Sequence, residues 1–154
     1  LIDRITVTVF RLNQASHRGR FRLPKRVVAK LFDTLWLQLV VGADLDGRAV
    51  VGPGLRLPHG GRLVAIDPRA VIGANVSMFP NSAVGRGGRD RQVPVIGDDV
   101  ILYRNATVAG PIRIGDRARV GANSLVIDDV PARTTVAGVP ASAVQDAWKD
   151  APER

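Results

Sequence analysis

The chain has 154 residues, enough for one domain with a core of its own and too few for two catalytic domains. It contains no cysteine and two histidines, which excludes disulfides, thiolate metal sites, cysteine nucleophiles and a three-histidine metal centre. A formal net charge of +8 suits an anionic partner, but aromatic residues make up only 5%, too few for a base-stacking nucleic-acid surface.

In chain order, Ile2, Ile5, Val9 and Leu12 follow helical spacing and predict a helix, although Ile5, Val7 and Val9 also alternate as a strand would. Residues 13–23, polar and basic and including His17, read as a connection. Pro24 suits the first turn of a second helix, with Val28, Leu31, Phe32, Leu35, Trp36 and Leu39 on an apolar face wide enough to need a partner. The apolar stretch 27–41 holds Lys30 and Asp33 and is shorter than the roughly 20 residues of a membrane span. No signal-peptide pattern precedes it, so no membrane association is expected and the cytoplasm is the expected location. Residues 1–43 thus form an N-terminal helical segment, 44–144 the main domain and 145–154 a C-terminal tail.

From Leu45 onward, aliphatic residues recur every six positions: Leu45, Val51, Leu57, then Ile66, Ile72, Met78, Val84, then Ile96, Leu102, Val108, Ile114, Val120 and Val126. The second position of each hexad is often Gly, and the fifth is small or aliphatic, as at Ala49, Ala70, Val76, Ser82 and Ala106. A six-residue period fits neither a helix face nor a long strand; it fits a short strand and a corner repeated, three sides to a coil. Stacked coils then give three inward columns: Leu45, Ile66, Val84, Val108 and Val126; Val51, Ile72, Ile96 and Ile114; Leu57, Met78, Leu102 and Val120.

The period breaks twice. Leu57 and Ile66 are nine apart, so three extra residues bulge just after His59, and Val84 and Ile96 are twelve apart, with the surplus in the Gly-rich basic run 85–95. Insertions in a structural repeat gather on the face that works.

The hexads resemble the hexapeptide-repeat acyltransferases with a left-handed parallel β-helix, and within them the serine acetyltransferase group. The likeness rests also on Leu57-Pro-His-Gly-Gly61, on the loop after Val84, and on the closing run from Asp129-Val-Pro131 to Val136-Ala-Gly-Val-Pro-Ala141. It implies a mainly β fold, a homotrimer, and acetyl-CoA as acyl donor with no metal. It further implies a histidine that deprotonates the acceptor hydroxyl, held by an aspartate 15 residues earlier, which fall on His59 and Asp44. Asp44 directly precedes Leu45 and His59 follows Leu57 by two, so both lie near the corner between the third and first columns. A neutral imidazole is a suitable base near neutral pH, and a carboxylate on its other nitrogen fixes the tautomer. The pantetheine corners map to Arg104 and Ala122, with Gly85 nearby, and Arg113, Arg117, Arg119 and Arg133 are candidates for the phosphates of CoA. Asp90, Arg91 and Gln92 in the loop are the expected acceptor contacts.

Departures from the pattern are equally specific. Leu102-Tyr-Arg-Asn-Ala106 stands where relatives have Ile-Gly-Ala-Gly-Ala, placing two bulky side chains beside the donor path. Pro58 replaces an acidic residue before the base, and Gln92 replaces a loop histidine. The expected activity is therefore O-acyl transfer to a small polar metabolite, an amino acid or a sugar, gripped by its hydroxyls or an acid group more than by an amine. The alternative is a non-catalytic β-helix scaffold or regulatory subunit that has lost acyl-CoA binding.

Overall fold

The computed structural model describes residues 2–17, 31, 33–87 and 92–144. From residue 44 the chain winds as a parallel β-helix of short strands in three sheets. The first sheet stacks β1 (Asp44–Leu45), β3 (Ala65–Ile66), β6 (Ala83–Gly85), β9 (Thr107–Ala109) and β12 (Leu125–Val126). The second stacks β2 (Val50–Val51), β4 (Val71–Ile72), β7 (Val95–Ile96) and β10 (Arg113–Ile114). In the third, β5 (Ser77–Met78), β8 (Ile101–Leu102), β11 (Arg119–Val120) and β13 (Thr135–Gly138) run parallel, and β14 (Ala141–Ala143) closes the edge antiparallel to β13.

The registers reproduce all three expected columns. Leu45 pairs with Ile66, Ile66 with Val84 and Val108 with Val126; Val51 pairs with Ile72 and Ile96 with Ile114; Met78 pairs with Leu102 and Leu102 with Val120. Each of these side chains is buried, as are the small residues at the fifth positions, so the prism interior is filled by one large and one small residue per side. Corners turn at the fourth position, where Asn75, Asn81, Asp99, Asn105 and Asn123 adopt φ between 57° and 60°. Asn and Asp tolerate that left-handed region better than other side chains. Three of them also tie coils together: Asn81 Nδ2 donates to Asn105 Oδ1 at 2.9 Å, and Asn105 Nδ2 to Asn123 Oδ1 at 2.7 Å.

Helix α1 (Ile2–His17) confirms the helical reading of the N-terminus and extends through His17, into the stretch expected to be a connection. It continues because Asn13 and Gln14 are buried against the first coil, Gln14 Nε2 donating to Ala49 O at 2.8 Å. Its buried face is Thr6, Val9, Phe10 and Asn13, whereas Ile2 and Leu12 of the expected apolar set are exposed. Arg11 donates to the Val51 carbonyl at 2.8 Å and also to that of Gly52. The helix thus lids the open end of the prism.

A second segment, α2 (Asp33–Val41), is π-helical. Leu37 and Val41 enter the core, and the expected face reverses: Leu31, Leu35 and Leu39 are exposed, Leu39 by 72%. Hydrogen bonding from i to i+5 widens each turn and shifts the stripe that an α-helical spacing would present. Pro24, Val28 and Phe32 of the same expectation, like the tail 145–154, lie outside the described residues.

Candidate active site

The three extra residues after Leu57 become a tight turn, Pro58–Gly61, in which the chain leaves the prism and returns. His59 has φ 56° and ψ 30°, and Gly60 and Gly61 follow with φ 81° and 69°. A non-glycine residue in this region costs on the order of 1–3 kcal/mol and persists only when its surroundings over-determine it. The surroundings here come from α1. Asp3 Oδ1 accepts the Gly60 N–H at 2.5 Å, and the Thr6 hydroxyl lies 3.0 Å from the Gly60 carbonyl oxygen. A Cβ on Gly60 would sit 2.6 Å from Ile2 Cγ2, so only glycine admits the helix this close.

His59 opens onto a depression of about 760 Å³ lined also by Ile2, Asp3, Arg62, Leu63, Asn81 and Arg104. Its ring lies 6.4 Å from that of Phe79, tilted by 52°. Asp44 begins β1, its N–H donating to Val64 O at 2.9 Å, and its side chain is exposed. No hydrogen bond or ion pair joins Asp44 to His59 among the described residues, and neither side chain has another polar partner there. Arg104 is the one expected donor contact at the same depression as His59. Ala122 occupies the equivalent corner one coil later, where Asn123 N donates to Arg104 O at 3.0 Å.

Gly85 ends β6 and faces open space. The Gly-rich loop begins and returns there as an antiparallel bridge between Gly87 and Gln92, the Gly87 N–H donating to Gln92 O at 3.1 Å. Asp90 and Arg91 lie outside the described residues. At the loop base, Arg86 pairs with Asp67 at 2.7 Å and Arg69 with the same carboxylate at 3.4 Å. Burial alone would raise the Asp67 pKa, but the Arg69 backbone N–H, the Arg69 side chain and the Arg86 charge together hold it below the usual carboxylate value. Among the candidate phosphate contacts, Arg117 approaches Asp99 at 4.0 Å, while Arg113 and Arg119 stand on β10 and β11 and Arg133 occupies a corner with φ 59°. Among the described residues no cluster of three His, Asp or Glu side chains is placed to hold a metal, and no helix is long and apolar enough to cross a membrane.

Sequence reasoning missed Asp3 and Arg62. Asp3 stands 56 positions before His59, in the first turn of a helix, and no periodicity connects the two. Arg62 lies in the bulge itself, where charge beside a base was the available signal.

A prism of hexads with an imidazole at a bulged corner defines a class, the hexapeptide-repeat transferases. Residues 94–128 match the family model described as bacterial transferase hexapeptide (six repeats). The serine acetyltransferase of Helicobacter pylori strain J99 is 30% identical over 137 residues, covering 88% of this chain and 77% of that protein. The chain belongs to the serine acetyltransferase family. The crystal structure of Neisseria gonorrhoeae serine acetyltransferase superposes with a TM-score of 0.77 at 34% identity, covering 94% of this chain and 54% of that one. A serine acetyltransferase solved in complex with CoA shares the fold, with a TM-score of 0.76 at 24% identity over 90% of this chain and 55% of the other. The chain thus spans about half the length of these solved relatives and about three-quarters of the Helicobacter protein.

Proposed function

We propose that this chain transfers an acetyl group from acetyl-CoA to a hydroxyl of a small polar acceptor, with His59 as general base. The observation that carries the reading is an imidazole without a hydrogen-bond partner among the described residues, presented by a strained bulge to a depression lined by charges of both signs. The imidazole takes the acceptor's hydroxyl proton as its oxygen attacks the thioester carbonyl. The C–S bond then breaks, and the imidazolium returns the proton to the departing CoA thiolate, so atoms and charge balance. Asp44 is proposed to orient the imidazole; the 15-residue spacing supports this. The CoA-bound relative supports acetyl-CoA as donor.

The depression changes the expectation about the acceptor. Pro58 removes an acidic neighbour of the base, but Asp3 brings a carboxylate to the depression that His59 lines, together with Arg62 and Arg104. A hydroxylated amino acid presents both an ammonium and a carboxylate to such a lining, and a neutral sugar presents neither. We therefore favour a hydroxy amino acid over a sugar. Thiol release from acetyl-CoA against a panel of both decides: a sugar with the highest kcat/KM overturns the acceptor, and no release with any member leaves the non-catalytic scaffold. The bulk of Tyr103 and Arg104 is what favours that second reading.

We also propose a homotrimer, because Leu31, Leu35, Leu39 and Val40 are large apolar side chains left exposed within ten residues of one another. Sedimentation at micromolar concentration should show three chains per particle, and a stable monomer would refute it.

A further inference from the structure

We propose that helix α1 acts as a positioning element for His59, through Thr6 and Asp3, which grip both polar backbone atoms of Gly60. This rests on the reading of His59 as general base. The Gly60 N–H belongs to the peptide that His59 itself begins, so its acceptor, Asp3 Oδ1, fixes the plane that sets ψ of His59. The Gly60 carbonyl lies on the other side and faces the Thr6 hydroxyl at 3.0 Å.

Thr6 is fully buried, and its hydroxyl has a defined set of partners. Trp36 Nε1 donates to Thr6 Oγ1 at 3.2 Å, occupying one lone pair, and the single hydroxyl proton faces the carbonyls of Ile2 and Gly60 at 3.1 and 3.0 Å. A side chain buried only for packing needs no hydroxyl. At 0% exposure a valine would be the cheaper residue, because an alcohol must be compensated on leaving water. The compensation found here is a chain from α2 through α1 to the residue after the base. It adds an anchor from outside the turn to three successive left-handed residues, His59, Gly60 and Gly61.

The test separates a grip from packing and from charge. Thr6→Val keeps the shape and removes the hydroxyl, and Thr6→Ser restores it. Thr6→Val should lower kcat by about 10-fold or more, as a misaimed base does, with KM for acetyl-CoA unchanged. Thr6→Ser should stay near wild type. Asp3→Asn keeps an oxygen for the Gly60 N–H and should leave the His59 ring signals as in wild type, whereas Asp3→Ala should shift them; Asp3 is exposed at the helix start, so neither change threatens folding. Wild-type kcat in Thr6→Val, or a Thr6→Ser enzyme as slow as Thr6→Val, would overturn the proposal. NMR of the His59 ring and amide exchange at Gly60 provide readouts independent of turnover. Both should change in Thr6→Val and Asp3→Ala even if His59→Ala showed that His59 is not the base; unchanged spectra would sink the grip alone.

Discussion

Phe79 and Tyr103 stack with ring centroids 5.4 Å apart and planes at 30°. They are equivalent residues of successive coils, each directly after an inward residue, Met78 and Leu102, of the same column. The stack runs along the edge of the prism, and at its lower end Phe79 also meets His59. Tyr103, whose bulk beside the donor path suggested obstruction, is thereby engaged with its neighbour below.

Tyr103→Ala should cost stability before it costs donor binding. The loss of the aromatic pair is worth about 0.5–1.5 kcal/mol beyond the buried area, read as a shift of the denaturation midpoint. KM for acetyl-CoA should stay close to wild type. A marked fall in that KM would show that the ring does obstruct the groove.

His59→Ala should reduce acyl transfer by about 100- to 10,000-fold, the usual contribution of a general base, with an unchanged thermal transition. Asp44→Asn should be similar or milder. The variants are compared by kcat at saturating acetyl-CoA, and wild-type turnover in His59→Ala would remove the mechanism.

Two glycines at the same hexad position should respond oppositely. A Cβ on Gly73 would lie 2.6 Å from the backbone of Gly97 in the next coil, so Gly73→Ala must spread two coils and should destabilise by about 1–3 kcal/mol. Gly85 faces open space, and Gly85→Ala should change stability by less than about 0.5 kcal/mol. Urea titration of both variants tests the pair. Equal losses would mean that the coils do not approach as described.

Asp67 gives a pH dependence whose sign follows from its lowered pKa. A carboxyl whose folded value lies below its unfolded one stabilises the fold fully above the unfolded value, and loses that contribution as pH falls through the folded one. The stability gap between wild type and Asp67→Asn should therefore be constant near neutrality and shrink in acid, below about pH 4. A gap that widened on acidification would contradict the Arg86 and Arg69 pairing.

The three columns were legible in the sequence because the period is local: each inward residue is six positions from the next whatever the rest of the chain does. Val130 and Val136 escaped that reading although both are buried, and Val136 pairs with Val120. Val130 follows Val126 by four instead of six, so the last coil is two residues short and out of phase, and the Ile114 bridge to Val130 reveals it only in three dimensions. The face of α2 was misread for a related reason, since a π-helical turn has another period. At the site, the bulge announced His59 by breaking the repeat. Asp3 and Thr6 reach it through helix docking, and docking leaves no spacing rule to find.

The antiparallel strand β14 has a consequence for growth. A stack of parallel coils ends in unpaired N–H and C=O groups, onto which another molecule's first coil could add, turning a finite prism into a fibre. At the C-terminal end, β14 reverses direction and pairs with β13, so the third sheet offers a newcomer the wrong polarity. At the other end α1 takes up the carbonyls of Ala49, Val51 and Gly52 with Gln14 and Arg11. Removing residues 139–144 should thus expose a strand edge of the same polarity as every coil before it, and end-to-end polymerisation becomes the characteristic failure of the shortened chain.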